Sequence, residues 1–182
     1  MSSRVARLVE SYQSFIDLPW EKGLAGVQKV IFAVYDKTEE LRMRAQIDEF
    51  EIATKAAGHD WKLIDITDAF PQWMAQQEYR EGYFEYPEDL QDRLSEFTQH
   101  VVEQINTQFN DANENTVVAL QGVATVYGFS HVSDIVAQVA NNVKGRMLVF
   151  FPGEYESNNY RLLDARPGWN YQAVPITANK GL

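Results

Sequence analysis

The chain has 182 residues, 45% of them hydrophobic, and a formal net charge of −10 at pH 7. This length suits a single domain, which we expect to span residues 1–182, with an N-terminal helix and connecting segment over 1–28. The absence of cysteine excludes disulfides, thiolate metal sites and cysteine nucleophiles, and the acidic balance disfavours direct binding of nucleic acid.

The first segment predicts a helix followed by a connection. Apolar residues recur at helical spacing from Val5 to Ile16. Ser2 or Ser3 can cap this helix, and Leu18-Pro19 ends it. The segment lacks the apolar core and cleavage site of a secretory signal, and the sequence has no apolar run of about 18 residues. We therefore expect a cytoplasmic protein without membrane contact.

The next part of the chain alternates between strand and helix patterns. Lys29–Tyr35 is a continuous apolar run, typical of a strand buried on both faces. Asp36 begins a helix whose apolar stripe runs from Leu41 to Ala57 and which ends at Gly58. Trp61–Thr67 predicts a second strand, and a short helix follows it. The order strand, helix, strand is typical of a parallel sheet.

An acidic and aromatic segment interrupts this alternation. Between positions 78 and 96, seven acidic residues face two basic ones. Gly82 and Pro87 break the pattern, so we expect an irregular, partly exposed loop rather than a regular helix. Exposed rings are typical anchors of protein interfaces, which makes this segment a candidate binding surface. Alternatively, the acids belong to a solvated helix start and the rings fill the core. The candidate partner-binding residues here are Tyr79, Tyr83, Phe84 and Tyr86.

The second half of the chain continues the α/β pattern. Two helices are predicted: a long one with an apolar stripe from Leu90 to Phe109, and one that is capped by Ser130 and has a stripe from Val132 to Val143. The predicted strands are Thr116–Leu120, Arg146–Phe151, which ends in Pro152-Gly153, and two short ones, Tyr160–Leu163 and Tyr171–Val174. The fold class predicted is α/β, a single domain with a mostly parallel sheet of four to six strands and helices on both faces.

Recognisable catalytic motifs are absent from the sequence. It contains no Gly-x-x-x-x-Gly-Lys-Ser/Thr loop, no Gly-x-Gly-x-x-Gly fingerprint, no Gly-x-Ser-x-Gly elbow and no His-Glu-x-x-His helix. Its three histidines lie far apart along the chain. We therefore expect no catalytic residues, no metal and no cofactor.

The predicted strand ends carry the one acidic arrangement that could do chemistry. Carboxyl ends of parallel strands meet at one edge of a sheet, so Asp36, Asp68 and Glu154 can approach one another there. Two such carboxylates could hold a divalent cation or act as acid and base. Alternatively, Asp36 caps the following helix and Glu154 is a solvated loop carboxylate after a Pro-Gly turn. The sequence leaves both interpretations open.

Two stretches of the sequence together resemble a known protein family. One covers residues 117–136, and the other is Met147–Tyr155, of which Phe-Pro-Gly-Glu-Tyr is the most specific part. With Tyr160–Leu163 they resemble the B component (BrxB) family of BREX bacteriophage-resistance systems. The resemblance implies an antiviral accessory protein without established enzymatic activity. It also implies contacts with other BREX components, above all the alkaline-phosphatase-like protein PglZ.

Three functional hypotheses follow. The leading one is a non-catalytic adaptor that uses the aromatic segment or, failing that, Glu154 and Tyr155 to bind a partner protein. The second is an enzyme with an unusual acidic site at the strand ends, in which Asp36 and Glu154 hold a divalent cation. The third is a nucleotide sensor that lacks the usual phosphate-binding loop.

Overall fold

The apolar runs of the sequence are the strands of one sheet. The computed structural model describes residues 2–165 and 168–179. In this part of the chain the α-helices are α1 (Arg4–Ile16), α2 (Glu40–Ala45), α3 (Ile47–Ala56), α4 (Ala69–Ala75), α5 (Arg80–Glu85), α6 (Leu94–Gln108) and α7 (Val132–Ala140). The strands are β1 (Val30–Tyr35), β2 (Asp60–Asp65), β3 (Thr116–Gln121), β4 (Arg146–Glu156), β5 (Asn159–Leu162), β6 (Trp169–Asn170) and β7 (Val174–Ile176).

Five of the strands are parallel and lie in the order β2-β3-β4-β1-β7. Strands β5 and β6 extend the sheet beyond the end of β4 as antiparallel neighbours. After β1 the chain crosses to β2, at one edge of the sheet. After β4 it passes through β5 and β6 and reaches β7, at the other edge. The prediction of an α/β fold with a mostly parallel sheet is confirmed.

The core lies on both faces of this sheet. Helices α1 and α3 cover one face, where Tyr12 and Phe50 pack against alternate residues of β1 such as Ile31. Helices α4, α6 and α7 cover the other face, where Phe97 and Phe32 belong to the larger core cluster. Because both faces are buried, the inner strand β1 is apolar at every position.

The helix predicted after β1 is divided. A 3₁₀ turn, Lys37–Glu39, precedes α2, and α2 and α3 meet at Gln46. Gln46 has φ −108° and ψ 2°, outside helical geometry. The apolar stripe therefore does not start at Leu41, which is 84% exposed. Gly58, with a φ of +87°, does end α3 as predicted.

The prediction that Pro152-Gly153 ends the fourth strand is wrong. Strand β4 continues to Glu156, because its partner changes at this point from parallel β1 to antiparallel β5. A Cβ atom at Gly153 would lie 1.9 Å from the carbonyl oxygen of Arg161. Glycine is therefore what allows β5 to approach. Glu154 lies within a strand and not in a loop after a turn.

Two smaller corrections concern element ends. Helix α7 begins at Val132 with His131 at the N-cap, so Ser130 does not cap it. The Ser130 hydroxyl instead lies 2.6 Å from the hydroxyl of Thr98 on α6. The last predicted strand, Tyr171–Val174, is displaced, and β7 lies later in the chain. Among the described residues, no helix is long and apolar enough to cross a membrane.

Candidate functional site

The aromatic segment, residues 79–86, contains a short helix. The prediction of an irregular loop is wrong, because α5 runs through Gly82, whose backbone oxygen accepts from the Tyr86 amide at 2.8 Å. A glycine inside a helix costs only about 0.5–1 kcal/mol, too little to break it here. Pro87 does end α5, and a 3₁₀ segment, Pro87–Arg93, leads into α6.

The rings of the aromatic segment divide into one half-buried ring and three exposed ones. Tyr83 packs against the larger core cluster. Tyr79, Phe84 and Tyr86 are 67%, 71% and 53% exposed. The exposed rings make no aromatic contact with the described residues. The structure thus assigns Tyr83 a packing role and leaves the other three rings in solvent.

The charge around these rings is negative and unbalanced. The six acidic residues between positions 78 and 92 are all exposed. Arg80 donates to the backbone oxygen of Gln77 at 3.4 Å, and Arg93 pairs with Glu96 at 2.9 Å. Within the described parts of the chain, no ion pair joins those six acids to a basic side chain. The exposed rings therefore lie in a region of negative potential.

A groove of about 670 Å³ begins where the 3₁₀ segment meets α6. Leu94 lines one side, and Phe129, stacked on Phe70 with ring centroids 3.8 Å apart, lines another. Tyr127, which is 48% exposed, and Trp169 also line it. The groove thus follows the aromatic segment along the chain, from the 3₁₀ segment Pro87–Arg93 onward, and several of its walls are apolar.

The carboxyl ends of β1, β4 and β7 form a separate, smaller cleft of about 200 Å³. The structure brings the predicted Asp36 and Glu154 to this one cleft, whereas Asp68 does not line it. The other polar lining residues include Arg4, Glu39 and Tyr155. Within residues 2–165 and 168–179, no group of three or more metal-ligating side chains converges. The cleft combines three acids and a cation without a closed ligand set.

Each residue singled out at this cleft already has a partner within the chain. Asp36 Oδ1 accepts from the Thr38 amide at 2.8 Å and from its hydroxyl at 2.5 Å, and these bonds lower the pKa of Asp36. Glu154 accepts from Arg161 across the β4–β5 pair at 3.1 Å. Tyr155 donates to Asn158 at 3.0 Å. Their contacts are those of a helix cap and a hairpin.

A third feature, at the amino ends of the strands, was not predicted from the sequence. The rings of Trp20 and His59 stack with centroids 3.8 Å apart. The Arg146 guanidinium lies 4.8 Å from the centroid of the Trp20 ring. Since these residues are widely separated in sequence and form no motif, only the parallel order of the strands brings them together.

Comparison with known proteins identifies the family. The family model of the BREX protein BrxB matches residues 61–176, more than half of the chain. The chain belongs to the BrxB family. No curated protein and no solved structure matches it. The resemblance found in residues 117–136 and Met147–Tyr155 is confirmed.

BrxB membership makes the chain a component of a BREX anti-phage system, associated with other BREX components. The region matched to the BrxB model runs from β2 to β7. It includes the aromatic segment, the groove beside it and the β4–β5 pair, whereas Asp36 lies outside it. Both surfaces that hold candidate partner-binding residues therefore belong to the BrxB-like part of the chain.

Proposed function

We propose that this BrxB protein is a non-catalytic adaptor of the BREX defence system, which acts in the cytoplasm through protein–protein contacts and binds PglZ directly. The contact surface is the aromatic segment together with the groove beside it. This goes beyond family membership, which establishes association with the system but neither a partner nor a mechanism.

The exposure of three aromatic rings within eight residues carries the proposal. Single exposed apolar residues are ordinary on protein surfaces, but Tyr79, Phe84 and Tyr86 lie close together in sequence and are each more than half exposed. At the best interface positions, an aromatic side chain that enters a pocket of the partner contributes about 2 kcal/mol or more to binding. These rings have little packing role within the chain and are available to a partner.

The charge of the segment indicates the chemistry of that partner. Six exposed acids, which form no ion pair with the basic side chains that the structure describes, repel polyanions and attract a basic surface. Such complementarity mainly accelerates association and makes it sensitive to salt. We therefore expect the partner to surround its apolar pockets with Lys and Arg, and we expect naked DNA to bind weakly or not at all.

A second candidate function rests on the cleft at the strand ends. Because Asp36 and Glu154 both line it, an enzyme or a nucleotide- or metal-binding site there is the alternative. The hydrogen bonds that each acid accepts within the chain favour the adaptor. We expect no turnover of ATP or GTP by the pure protein, since no glycine loop and lysine stabilise a transferring phosphoryl group. Turnover abolished by Asp36→Asn would establish the alternative instead.

The identity of the partner is tested by co-expression of the chain with each of the other BREX components in turn. We expect PglZ to co-purify with the wild type. A Tyr79→Ser/Phe84→Ser/Tyr86→Ser variant should lose it, and its melting temperature should stay close to that of the wild type. Leu41→Ser is the matched control, because Leu41 is 84% exposed and lies on α2, outside the segment. Retention of PglZ by the triple variant would refute the proposed surface.

A further inference from the structure

A second open groove lies at the amino-terminal end of the sheet. It has a volume of about 410 Å³. Most of its walls are apolar, and they are formed by the end of α1, the connection to β1 and the starts of β1 and β7: Phe15, Leu18, Leu24, Ile31 and Val174. Trp20 and Arg146 also line it. The charged residues that line this groove are Arg146 and the exposed Glu21.

Arg146 is the buried cation of this groove. It is only 8% exposed, and its guanidinium donates to the backbone oxygens of Gly145 at 3.0 Å and Glu21 at 2.8 Å. No ion pair joins it to a carboxylate among the described residues, and the exposed Glu21 side chain acts on it only from a distance. Glu21 lines the same groove, but its carboxylate is not bonded to the guanidinium. Only two of the five N–H groups of Arg146 donate to these backbone oxygens, so the guanidinium keeps donors that can receive a carboxylate.

Trp20 adds an unsatisfied hydrogen-bond donor beside Arg146. Its indole Nε1 is buried and has no hydrogen-bond acceptor in the described parts of the chain. Its ring is held between the cation of Arg146, 4.8 Å from the ring centroid, and the stacked ring of His59. The edge of the groove is open, since Leu18 is 60% exposed. The groove therefore combines apolar walls, an accessible rim, the Arg146 guanidinium and an indole N–H that lacks an acceptor among the described residues.

We propose that this groove is a second docking site, which binds a segment of a partner protein that carries a carboxylate beside an apolar side chain. The carboxylate pairs with Arg146, since guanidinium and carboxylate are complementary in geometry and charge. The apolar side chain lies between Leu18 and Trp20. The charge preference is opposite to that of the aromatic segment, so the two surfaces select different partners.

An adaptor needs two surfaces that bind different partners. The idea that this groove is the second of them rests on the proposed function. The docking site itself does not, because its groove and its cation lie at the opposite end of the sheet from the strand-end cleft and share no residue with the aromatic segment. Failure of one surface in an experiment therefore leaves the other to be judged separately.

The test uses the intact protein and two small probes that differ only in charge. N-acetyl-leucyl-leucine carries a carboxylate, and N-acetyl-leucyl-leucinamide does not. The signal is the Trp20 indole N–H resonance in a ¹H–¹⁵N spectrum, assigned by its loss in Trp20→Phe. We expect the acid to shift this resonance and to bind about tenfold more tightly than the amide, because a charge-assisted hydrogen bond is the stronger kind.

Variants separate the groove from the rest of the surface. Leu18→Asp places a like charge at the rim and should abolish the shift by the acid. Leu41→Asp introduces the same change at another exposed leucine and should leave the shift intact. Tyr79→Ser/Phe84→Ser/Tyr86→Ser should also leave it intact, which distinguishes this site from the proposed PglZ surface.

Four results would overturn the proposal. Equal binding of the acid and the amide would show that the charge of Arg146 does not contribute to binding. An equal shift by acetate alone would indicate a site for small anions. Absence of any shift up to about 10 mM probe, a range that detects even millimolar affinity, would show that the groove does not dock such segments. Concentration-dependent oligomers that Leu18→Asp dissociates would identify the occupant as a second copy of this chain.

Discussion

The aromatic segment and the β4–β5 pair both held candidate partner-binding residues, but they differ in what surrounds those residues. In the β4–β5 pair, Glu154 is bonded to Arg161, and the Tyr155 ring lies 4.7 Å from that of Tyr160. In the aromatic segment, Tyr79 and Phe84 extend into solvent. The most recognisable sequence element, Phe-Pro-Gly-Glu-Tyr, thus serves the architecture, while the less distinctive segment offers free surface.

The largest expected effect comes from Gly153, at the start of the β4–β5 pair. Gly153→Ala places a Cβ atom 1.9 Å from the Arg161 carbonyl oxygen, so β5 must move away from β4. We expect a loss of about 1–3 kcal/mol or more in unfolding free energy, as for other overpacked sites, measured by urea denaturation. A variant as stable as the wild type would show that β5 is not held against β4 as described.

Tyr160 tests the same region through a hydrogen bond. Its hydroxyl is buried and donates to the Ala173 oxygen at 2.8 Å. Tyr160→Phe leaves that carbonyl without this donor, which should cost about 1–3 kcal/mol in unfolding free energy. Tyr79→Phe, the control in the aromatic segment, should change stability by less than about 0.5 kcal/mol. Equal effects of the two changes would contradict the contrast between the regions.

Gly82 tests whether the aromatic segment is a helix without close neighbours. Apart from its chain neighbours and the backbone of α5 itself, no described atom lies within 4 Å of a Cβ atom built at this position, in contrast to Gly153. We therefore expect Gly82→Ala to stabilise the protein by about 0.5–1 kcal/mol, because alanine favours helix more than glycine does. Thermal denaturation measures this difference. Destabilisation by Gly82→Ala would mean that the segment is packed more closely than its exposed rings indicate.

The smallest effect concerns Asp36 and pH. Bonds from the hydroxyl and amide of Thr38 hold the pKa of Asp36 below its usual value of 3.8. Its contribution to stability is therefore complete above that value and is lost as the pH falls through the lower, folded-state pKa. In an NMR titration, Thr38→Ala should raise the midpoint of Asp36 toward 3.8. An unchanged midpoint would mean that Thr38 does not hold the carboxylate.

The sheet was predictable from the sequence, because strands buried on both faces have continuous apolar runs. Lys29–Tyr35 and Thr116–Leu120 fall within one residue of β1 and β3. The end of β4 was not predictable. Pro152-Gly153 has the composition of a turn, and only the approach of β5 from later in the chain explains why the strand continues.

The candidate sites were predictable to different degrees. The meeting of Asp36 and Glu154 follows from parallel strands alone, and the exposure of Tyr79 and Phe84 follows from their acidic surroundings. The half-burial of Tyr83 depends on tertiary packing, which the local pattern does not contain. The Arg146 groove depends on contacts between residues more than a hundred positions apart, such as the bond from Arg146 to the Glu21 oxygen, and no local signal marks it.

The central proposal is that this member of the BrxB family binds PglZ through aromatic rings that make few contacts within its own fold. The most direct test measures the dissociation constant of the purified pair by calorimetry at two salt concentrations, for the wild type, Phe84→Ser and Leu41→Ser. We predict at least about tenfold weaker binding for Phe84→Ser, unchanged binding for Leu41→Ser, unchanged stability for both, and weaker wild-type binding at high salt. Wild-type affinity in Phe84→Ser, or no measurable binding of PglZ by the wild type, would contradict the claim.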